Sequence, residues 1–450
     1  MTSDMTDAPC CIVPKYLAAF RCIAGSCEED CCHDWRINID QNTFKKIKTA
    51  MSHSKTDRER FRQFLKRNSS DDKDTTNYAS ITCRPDGGCP FLDDGKLCEI
   101  HRRFGPSHLS LVCRSYPRKK SLVGKRTEVI AFLSCPEVAR RCLLAPDAME
   151  LVELEPGRLD SDAICTQIKS GTGESPYHAY LDEVRQSLLN LVALNQFPLA
   201  SRLFFVACFA DSVSPAFSNG SSEFSPGILA ENIESFSDPF TLRELHAQFE
   251  QIDSRIDFAM LLVQRILTAR LPSISDNFRA LLDQTWKNYN LLAESNAPCP
   301  ADDPKRNPEI FTTIQQHYQR RRSLLQETFT QRIDQYFANY SLNYWFGEWY
   351  TSSPDLLVHT TKLFIRLAIL RFLLFSHPEL NPLVEQLAAG KIGRKERESA
   401  QEALDRAAVE TFYRFSRGVE HDPVYLDDIQ QTLAMENMEP LTKLTLLLKF

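Results

Sequence analysis

Eight cysteines in the first third of the chain have the type and spacing to hold a metal. Four of them, Cys22, Cys27, Cys31 and Cys32, lie in CIAGSCEEDCCHDW and follow one another as C-x4-C-x3-CC. On a helical turn Cys27 and Cys31 would share a face. The other four come after a gap: Cys89 and Cys98 in CPFLDDGKLC, Cys113 in LSLVCRSYPRKK and Cys135 in FLSCPEVARRC. Gathered thiolates select zinc or iron–sulfur clusters, because soft sulfur ligands favour those metals. Eight thiols exceed the four that one tetrahedral zinc or one 4Fe-4S cluster requires. Either there are two sites, or some of the eight support the ligands. A C-x3-C-x2-C run, the pattern of a cluster poised for radical chemistry, is missed by one residue: Cys27 and Cys31 supply the first part, and Asp34 stands where the third thiol is needed.

The neighbours of these thiols suggest secondary roles. His33 and Asp34 adjoin the Cys31–Cys32 pair, as partners of a metal ligand, as a proton acceptor, or as turn caps. His101 and His108 flank the second group and could replace a thiol at a zinc site, although neither HxH nor HExxH spacing supports this. Arg114, Arg118, Lys119, Lys120, Lys125 and Arg126 follow Cys113. Arg114 or Arg118 could balance the charge of a thiolate cluster or bind a carboxylate, and the lysines read as solvated surface. Isolated thiols (Cys10, Cys11, Cys83, Cys142, Cys165, Cys208 and Cys299) read as small core residues.

What must position these groups is an ordinary globular chain of 450 residues, 43% hydrophobic and 25% charged. Twelve of the 15 cysteines fall within residues 1–142. The opening MTSDMTDAPCC lacks a basic n-region, so reduced thiols in the cytoplasm are expected. A net charge of -6 gives no case for nucleic acid or anionic membrane as a partner. The most apolar run, Phe364 to Phe375, is short and broken by Arg366 and Arg371, the pattern of a buried helix rather than a membrane span. Glycine is scarce, and no dinucleotide turn, P-loop or GxSxG is present.

Beyond residue 175, apolar residues recur at helical spacing: Leu181 to Val192, Ile256 to Leu267, Ile310 to Tyr340, Thr360 to Phe375 and Ser399 to Phe415. Strand-like alternation is confined to Glu128–Leu133. The fold expected is mainly α: a cysteine-rich metal-binding domain over 1–150, a helical segment over 151–211, a Ser/Pro/Gly-rich linker or loop over 212–240 and a helical domain over 241–450. Pro298, Pro300, Pro304 and Pro308 mark a second break.

The order CxxxxCxxxCC, CPFLD…G.LC.I, CR.YPR, SCPE.AR resembles the flagellin lysine-N-methylase (FliB) family, within the wider YkgJ-type group of cysteine-rich chelating proteins. The resemblance covers about residues 15–145, joined by NYSLNYWFGEWY at Asn339–Tyr350, which is similar to the family's Tyr-rich helix. It implies methyl transfer from S-adenosylmethionine to lysines of flagellin by an enzyme carrying a 4Fe-4S cluster, with Cys22, Cys27, Cys31, Cys32, Cys89, Cys98, Cys113 and Cys135 as candidate ligands. The alternative is a zinc- or iron-chelating binding module without chemistry. A lysine amine has a pKa near 10.4, so only ~1 in 2,500 is neutral at pH 7. An aromatic channel would favour the neutral amine by desolvation, and its ring faces would attract sulfonium and methylated ammonium. Tyr344, Trp345 and Trp349 are the candidates for that channel, and Arg114 and Arg118 for the donor's carboxylate.

Overall fold

The computed structural model describes residues 11–33, 37–68, 75–155, 165–171, 173–222, 224–254, 260, 263, 276–288, 308–390, 392–421 and 440–449. These fall into two compact units. One comprises Met1–Arg141 with Glu150–Ile168, the other Cys142–Met149 with Lys169–Phe450.

The first unit is built from short pieces in the order β1 (Cys11–Pro14), β2 (Ile37–Ile39), α1 (Gln41–Ala50), α2 (Lys55–Phe64), β3 (Leu65–Arg67), β4 (Ala79–Ile81), α3 (Glu99–Phe104), α4 (Leu111–Ser115), β5 (Arg118–Val123), β6 (Arg126–Ala131), α5 (Pro136–Leu144), β7 (Leu151–Leu154) and β8 (Cys165–Ile168). Five strands form a mixed sheet in the order β7-β1-β6-β5-β8, and three form an antiparallel sheet in the order β2-β4-β3. In the larger sheet β5 and β6 make a hairpin, Val123 opposite Arg126, across a two-residue turn that Gly124 enters at φ 58°. The single short strand expected at Glu128–Leu133 is thus the inner strand of a five-stranded sheet. The basic stretch read as solvated surface supplies its partner β5, whose lysines conceal the alternation.

The smaller sheet owns the core that matters for the thiols. Ile37, Ile39, Ile47, Phe61, Ile81, Phe91 and Ile100 are buried together, and Cys32, Cys98 and Cys113 pack against them. Helix starts around this core are fixed by short polar side chains that accept orphan amides. Asp40 accepts from Thr43 N at 2.8 Å, Ser54 from Asp57 N at 3.3 Å and Ser110 from Cys113 N at 3.3 Å.

The second unit is helical throughout its described residues: α6 (Leu181–Ala193), α7 (Leu199–Val213), α8 (Pro226–Ser235), α9 (Pro239–Gln251), α10 (Asp276–Asn288), α11 (Pro308–Gly347), α12 (Leu356–Phe375), α13 (Asn381–Ala388), α14 (Arg394–Phe415) and α15 (Pro440–Lys449). α12 is buried on nearly every side, as a helix apolar all round must be. It packs against α7, α11, α14 and α15. The helices read at Leu181–Val192, Ile310–Tyr340, Thr360–Phe375 and Ser399–Phe415 are all present, whereas most of Ile256–Leu267, with Pro298, Pro300 and Pro304, lies outside the described residues. Residues 212–240 hold the last residues of α7, a loop tied to 354–355 by Asn219 N to Pro354 O at 2.8 Å, all of α8 and the start of α9. α11 is kinked where Phe329 leaves helical geometry at φ -127°, ψ 27°. The Thr328 hydroxyl bonds back to Leu324 O at 2.9 Å and Arg397 takes the Thr328 carbonyl at 2.7 Å, the kind of intrusion that bends a helix.

Buried arginines close several helix ends. The last carbonyls of a helix lack amide partners, and here guanidinium groups supply them. Arg202 donates to Val192 O at 2.8 Å. Arg321 donates to Phe375 O at 2.7 Å and His377 O at 2.9 Å. Arg371 reaches Leu448 O at 2.7 Å and Arg322 reaches Lys449 O at 2.9 Å. Among the described residues no helix is long and apolar enough to cross a membrane.

Candidate metal centre

Two loops carry most of the thiols, and the backbone holds them together. The first runs through a 3-10 turn at Ala24–Ser26, where Ala24 N donates to Cys22 Sγ at 3.4 Å. It ends with Cys31 and Cys32, whose sulfurs are 4.0 Å apart. Asp30 organises this end, accepting from Cys32 N at 2.9 Å and lying 2.7 Å from His33 Nδ1. The second loop, Cys89–Cys98, is tightened by Asp93 Oδ1, which accepts from Gly95 N at 3.0 Å and Leu97 N at 2.9 Å. Cys89 N donates to Cys32 O at 2.8 Å, which joins the two loops. Behind them, Arg103 grips Asp57 through two bonds of 2.9 and 2.6 Å and Glu99 at 2.8 Å. Arg60 bonds Glu99 at 2.7 Å and Pro90 O at 2.8 Å. The helix that follows Cys98 is therefore anchored by charge-assisted contacts.

Cys22, Cys31, Cys32, Cys89, Cys98 and Cys113 line one cavity of about 470 Å³ whose remaining wall is largely apolar, with Ile37, Ile39 and Ile81 among its residues. Arg114, His101 and His108 border it as well. Cys27 and Cys135 do not; Cys135 instead has Cys27 and Cys22 as its charged neighbours. Cys83, read as an isolated core thiol, stands close enough to Cys89 to influence its ionisation. Asp34 lies outside the described residues, as do Cys10 and Cys299.

The environment raises the pKa of five of these thiols. Burial is the main cause at Cys89, pushed up to about 11, and at Cys113 and Cys135, each pushed up to about 12. Cys98 is raised by burial too. At Cys32 the hydrogen bond with Cys31 leads, followed by burial and by the nearby Cys31, Cys89 and Cys113. Opposing this, amide groups point at the sulfurs: Phe91 at Cys89, Ile100 and His101 at Cys98, Glu137 and Val138 at Cys135. Such N–H···S contacts stabilise a thiolate once it forms, and they tune iron–sulfur centres. The thiols border a common space without converging on one point. Among the described residues no three His, Cys, Asp or Glu side chains form an ion-holding group as placed. The donor set nevertheless fits a soft metal: several neighbouring thiols whose joint ionisation would need a cation, amides aimed at sulfur, and a cavity of ample volume.

The other candidate residues lie apart from these loops in the sequence. Arg118 rests over the Phe20 ring at 5.7 Å, and its buried Nε has no hydrogen-bond partner among the described residues. Tyr344, Trp345 and Trp349 are buried in the helical unit, at 5%, 1% and 6% exposure. Tyr344 donates to His359 O at 3.0 Å. The Arg366 guanidinium lies 5.1 Å from the centre of the Tyr344 ring and that of Arg185 lies 4.7 Å from Trp349. The ring faces a substrate ammonium would use thus already meet arginines. Around them stands a polar network that the sequence reading missed: Glu420 accepts from the Tyr340 and Ser416 hydroxyls, with Arg366 Nε at 3.6 Å. Burial leads the rise in the pKa of both Tyr340 and Tyr344, and Glu420 adds to it. The tyrosines and Arg366 stood out in the sequence; Glu420 lies past the helical run at Ser399–Phe415 and ends a π-helical turn at Ser416–Glu420.

Comparison with known proteins now joins these parts. Residues 21–133, which hold seven of the eight candidate thiols, match the CxxCxxCC family, a domain described as chelating zinc or iron. The lysine-N-methylase of Salmonella typhimurium (strain LT2) is 31% identical over 141 residues, which cover 31% of this chain and 34% of that protein. The flagellar biosynthetic protein FliU of Salmonella muenchen is also 31% identical over 141 residues, covering 31% of this chain and 80% of FliU. The aligned stretch thus spans about a third of the length of the lysine-N-methylase. No solved structure matches the chain. Residues 185–447 match the FliB lysine N-methylase C-terminal domain, and since that match takes in more than half of the sequence, the chain belongs to the FliB lysine N-methylase family.

Proposed function

We propose that this protein is a cytoplasmic protein-lysine N-methyltransferase that moves methyl groups from S-adenosylmethionine to surface lysines of flagellin, and that its N-terminal thiols hold a 4Fe-4S cluster. The observation that carries the reading is the six-thiol cavity in a chain of this family. Cys22, Cys31, Cys32, Cys89, Cys98 and Cys113 are the nearer ligand candidates, with Cys27 and Cys135 beside them. A cluster held there would supply cross-links between the two loops and a redox-active iron centre.

The rest of the chemistry falls to the chain. Arg114 on the cavity wall and Arg118, with its unmet Nε, are assigned to the donor's carboxylate or to the negative charge of the thiolates. In the transfer the deprotonated lysine nitrogen attacks the methyl carbon. An N–C bond forms, the C–S bond breaks with its electron pair going to sulfur, and S-adenosylhomocysteine leaves. Positioning of the two partners supplies much of the rate. The apolar surroundings of the amine are assigned to Tyr344, Trp345 and Trp349, where a substrate ammonium would compete with Arg366 for the Tyr344 face and with Arg185 for the Trp349 face.

The test is mass spectrometry of flagellin after incubation with the protein and S-adenosylmethionine, with the nucleoside product identified in the same tube. Methylated lysines with S-adenosylhomocysteine are expected. Unmodified flagellin overturns the reading, and 5′-deoxyadenosine formed in step with methylation overturns the polar transfer. Because the matched domain is described as chelating zinc or iron, a zinc-stapled binding module is the second reading. Anaerobically purified protein that is colourless and carries zinc without iron or sulfide favours it.

A further inference from the structure

We propose that a groove on the helical unit, between α6 and the α8–α9 pair, docks an amphipathic, lysine-bearing helix of the protein substrate. The groove has a volume of about 410 Å³, with Leu191 and Leu242 as its buried floor and Leu194, Ile233 and Phe236 on its walls. Phe236 is seated edge-on against Phe209 at 5.4 Å, so this wall is braced from behind. On the helices that form the groove, Ile228 of α8 is 42% exposed and Phe240 of α9 is 61% exposed. Ser187, Asn190, Gln196 and Ser237 complete the lining, so the groove offers an apolar floor with polar flanks, the complement of an amphipathic helix.

Charge selects the occupant. Between Pro226 and Ser254 the chain carries six carboxylates, Glu231, Glu234, Asp238, Glu244, Glu250 and Asp253, and one arginine, Arg243. Glu231, Glu234 and Glu244 are exposed. Carboxylates carried on the helices that form the groove repel acidic helices and attract cationic ones. A helix with lysines flanking its apolar stripe satisfies both features. This inference rests on the lysine-methylation reading for the identity of the partner, while the groove itself belongs to the helical unit alone.

The test uses the full chain and purified monomeric flagellin as the probe, with affinity measured directly and without donor. The variant combines Glu231→Lys and Glu234→Lys with Ile233→Ser, the last on the groove wall. The control carries Glu398→Lys and Glu402→Lys, equally exposed on α14. The groove variant should bind at least ~10-fold more weakly, with KM raised by a similar factor and kcat held, while the control stays within ~2-fold of wild type. Equal binding by wild type and groove variant overturns the proposal, as does an equal loss in both variants, which would reflect net charge alone. Wild-type protein that fails to bind flagellin overturns it whatever the methylation assay reads. Wild-type protein that methylates flagellin while the groove variant keeps its KM sinks the groove and leaves the enzymatic reading standing.

Discussion

Trp349→Ala separates an aromatic channel from an aromatic core. Trp349 is 6% exposed and carries the Arg185 guanidinium over its face at 4.7 Å. Truncating a buried aromatic costs ~3 to 5 kcal/mol, and a desolvated cation–π contact adds ~2, so the variant should lose about 5 to 7 kcal/mol. At ~2 to 4 °C per kcal/mol for units of this size, the melting temperature of the helical unit should fall by roughly 10 to 28 °C. Trp349→Phe keeps a ring for Arg185 and should recover about half or more of that loss. Arg185→Met should cost only ~0.5 to 2 kcal/mol if the ring packs without its cation. Calorimetry on these variants beside methylation of flagellin decides the matter. If Trp349→Ala melts within ~2 °C of wild type, the packing argument is refuted. If it melts normally and has lost activity, the ring acts on substrate rather than on the core.

Other consequences can be checked in parallel. Cys98→Ser and Cys113→Ser should lose bound metal and destabilise the first unit, since thiolate ligation is coupled to folding; Cys142→Ser, at a buried thiol packed against Asn339, should keep its metal, and normal iron and sulfide in the first two variants would reject the ligand assignment. Arg103 beside Asp57 holds that carboxyl below its ordinary 3.8. The stabilisation is therefore complete above 3.8 and is lost as pH falls through the lowered folded value. Asp57→Asn should remove this acid-sensitive step and cost ~1 to 3 kcal/mol at neutral pH, as read by denaturant titration at pH 7 and pH 3; an unchanged acid limb would show that the pair is idle.

The helical unit was legible where one face is buried at a period of 3.6 residues, as over Leu181–Val192, while Phe364–Phe375, buried on every side, was legible as an apolar run broken only by Arg366 and Arg371. The thiol groups were legible by spacing. Their partition was not: that Cys22 faces the cavity with Cys31 and Cys32 while Cys27 joins Cys135 depends on how the loop closes, and no local pattern encodes it. The strands were missed for a different reason. β2, β3 and β4 are three residues each, too short for alternation to register, and β5 spells its strand in arginines and lysines. Glu420 was missed because a charged residue just past a helix is ordinarily solvated, and only its contacts with Tyr340 and Arg366 make it otherwise.

The arginines that meet helix ends have a further consequence for motion. Each one measures the axial position of its neighbour, because a guanidinium that reaches Phe375 O, Leu448 O or Val192 O can do so at one level only. Sliding such a helix by a single turn, 5.4 Å, would leave a buried cation facing apolar side chains and a buried carbonyl facing none. Shear between these helices is therefore forbidden in small steps. Any rearrangement of the unit must carry the tethered helices as rigid blocks and bend where the backbone has already departed from helical geometry, at Phe329 in α11.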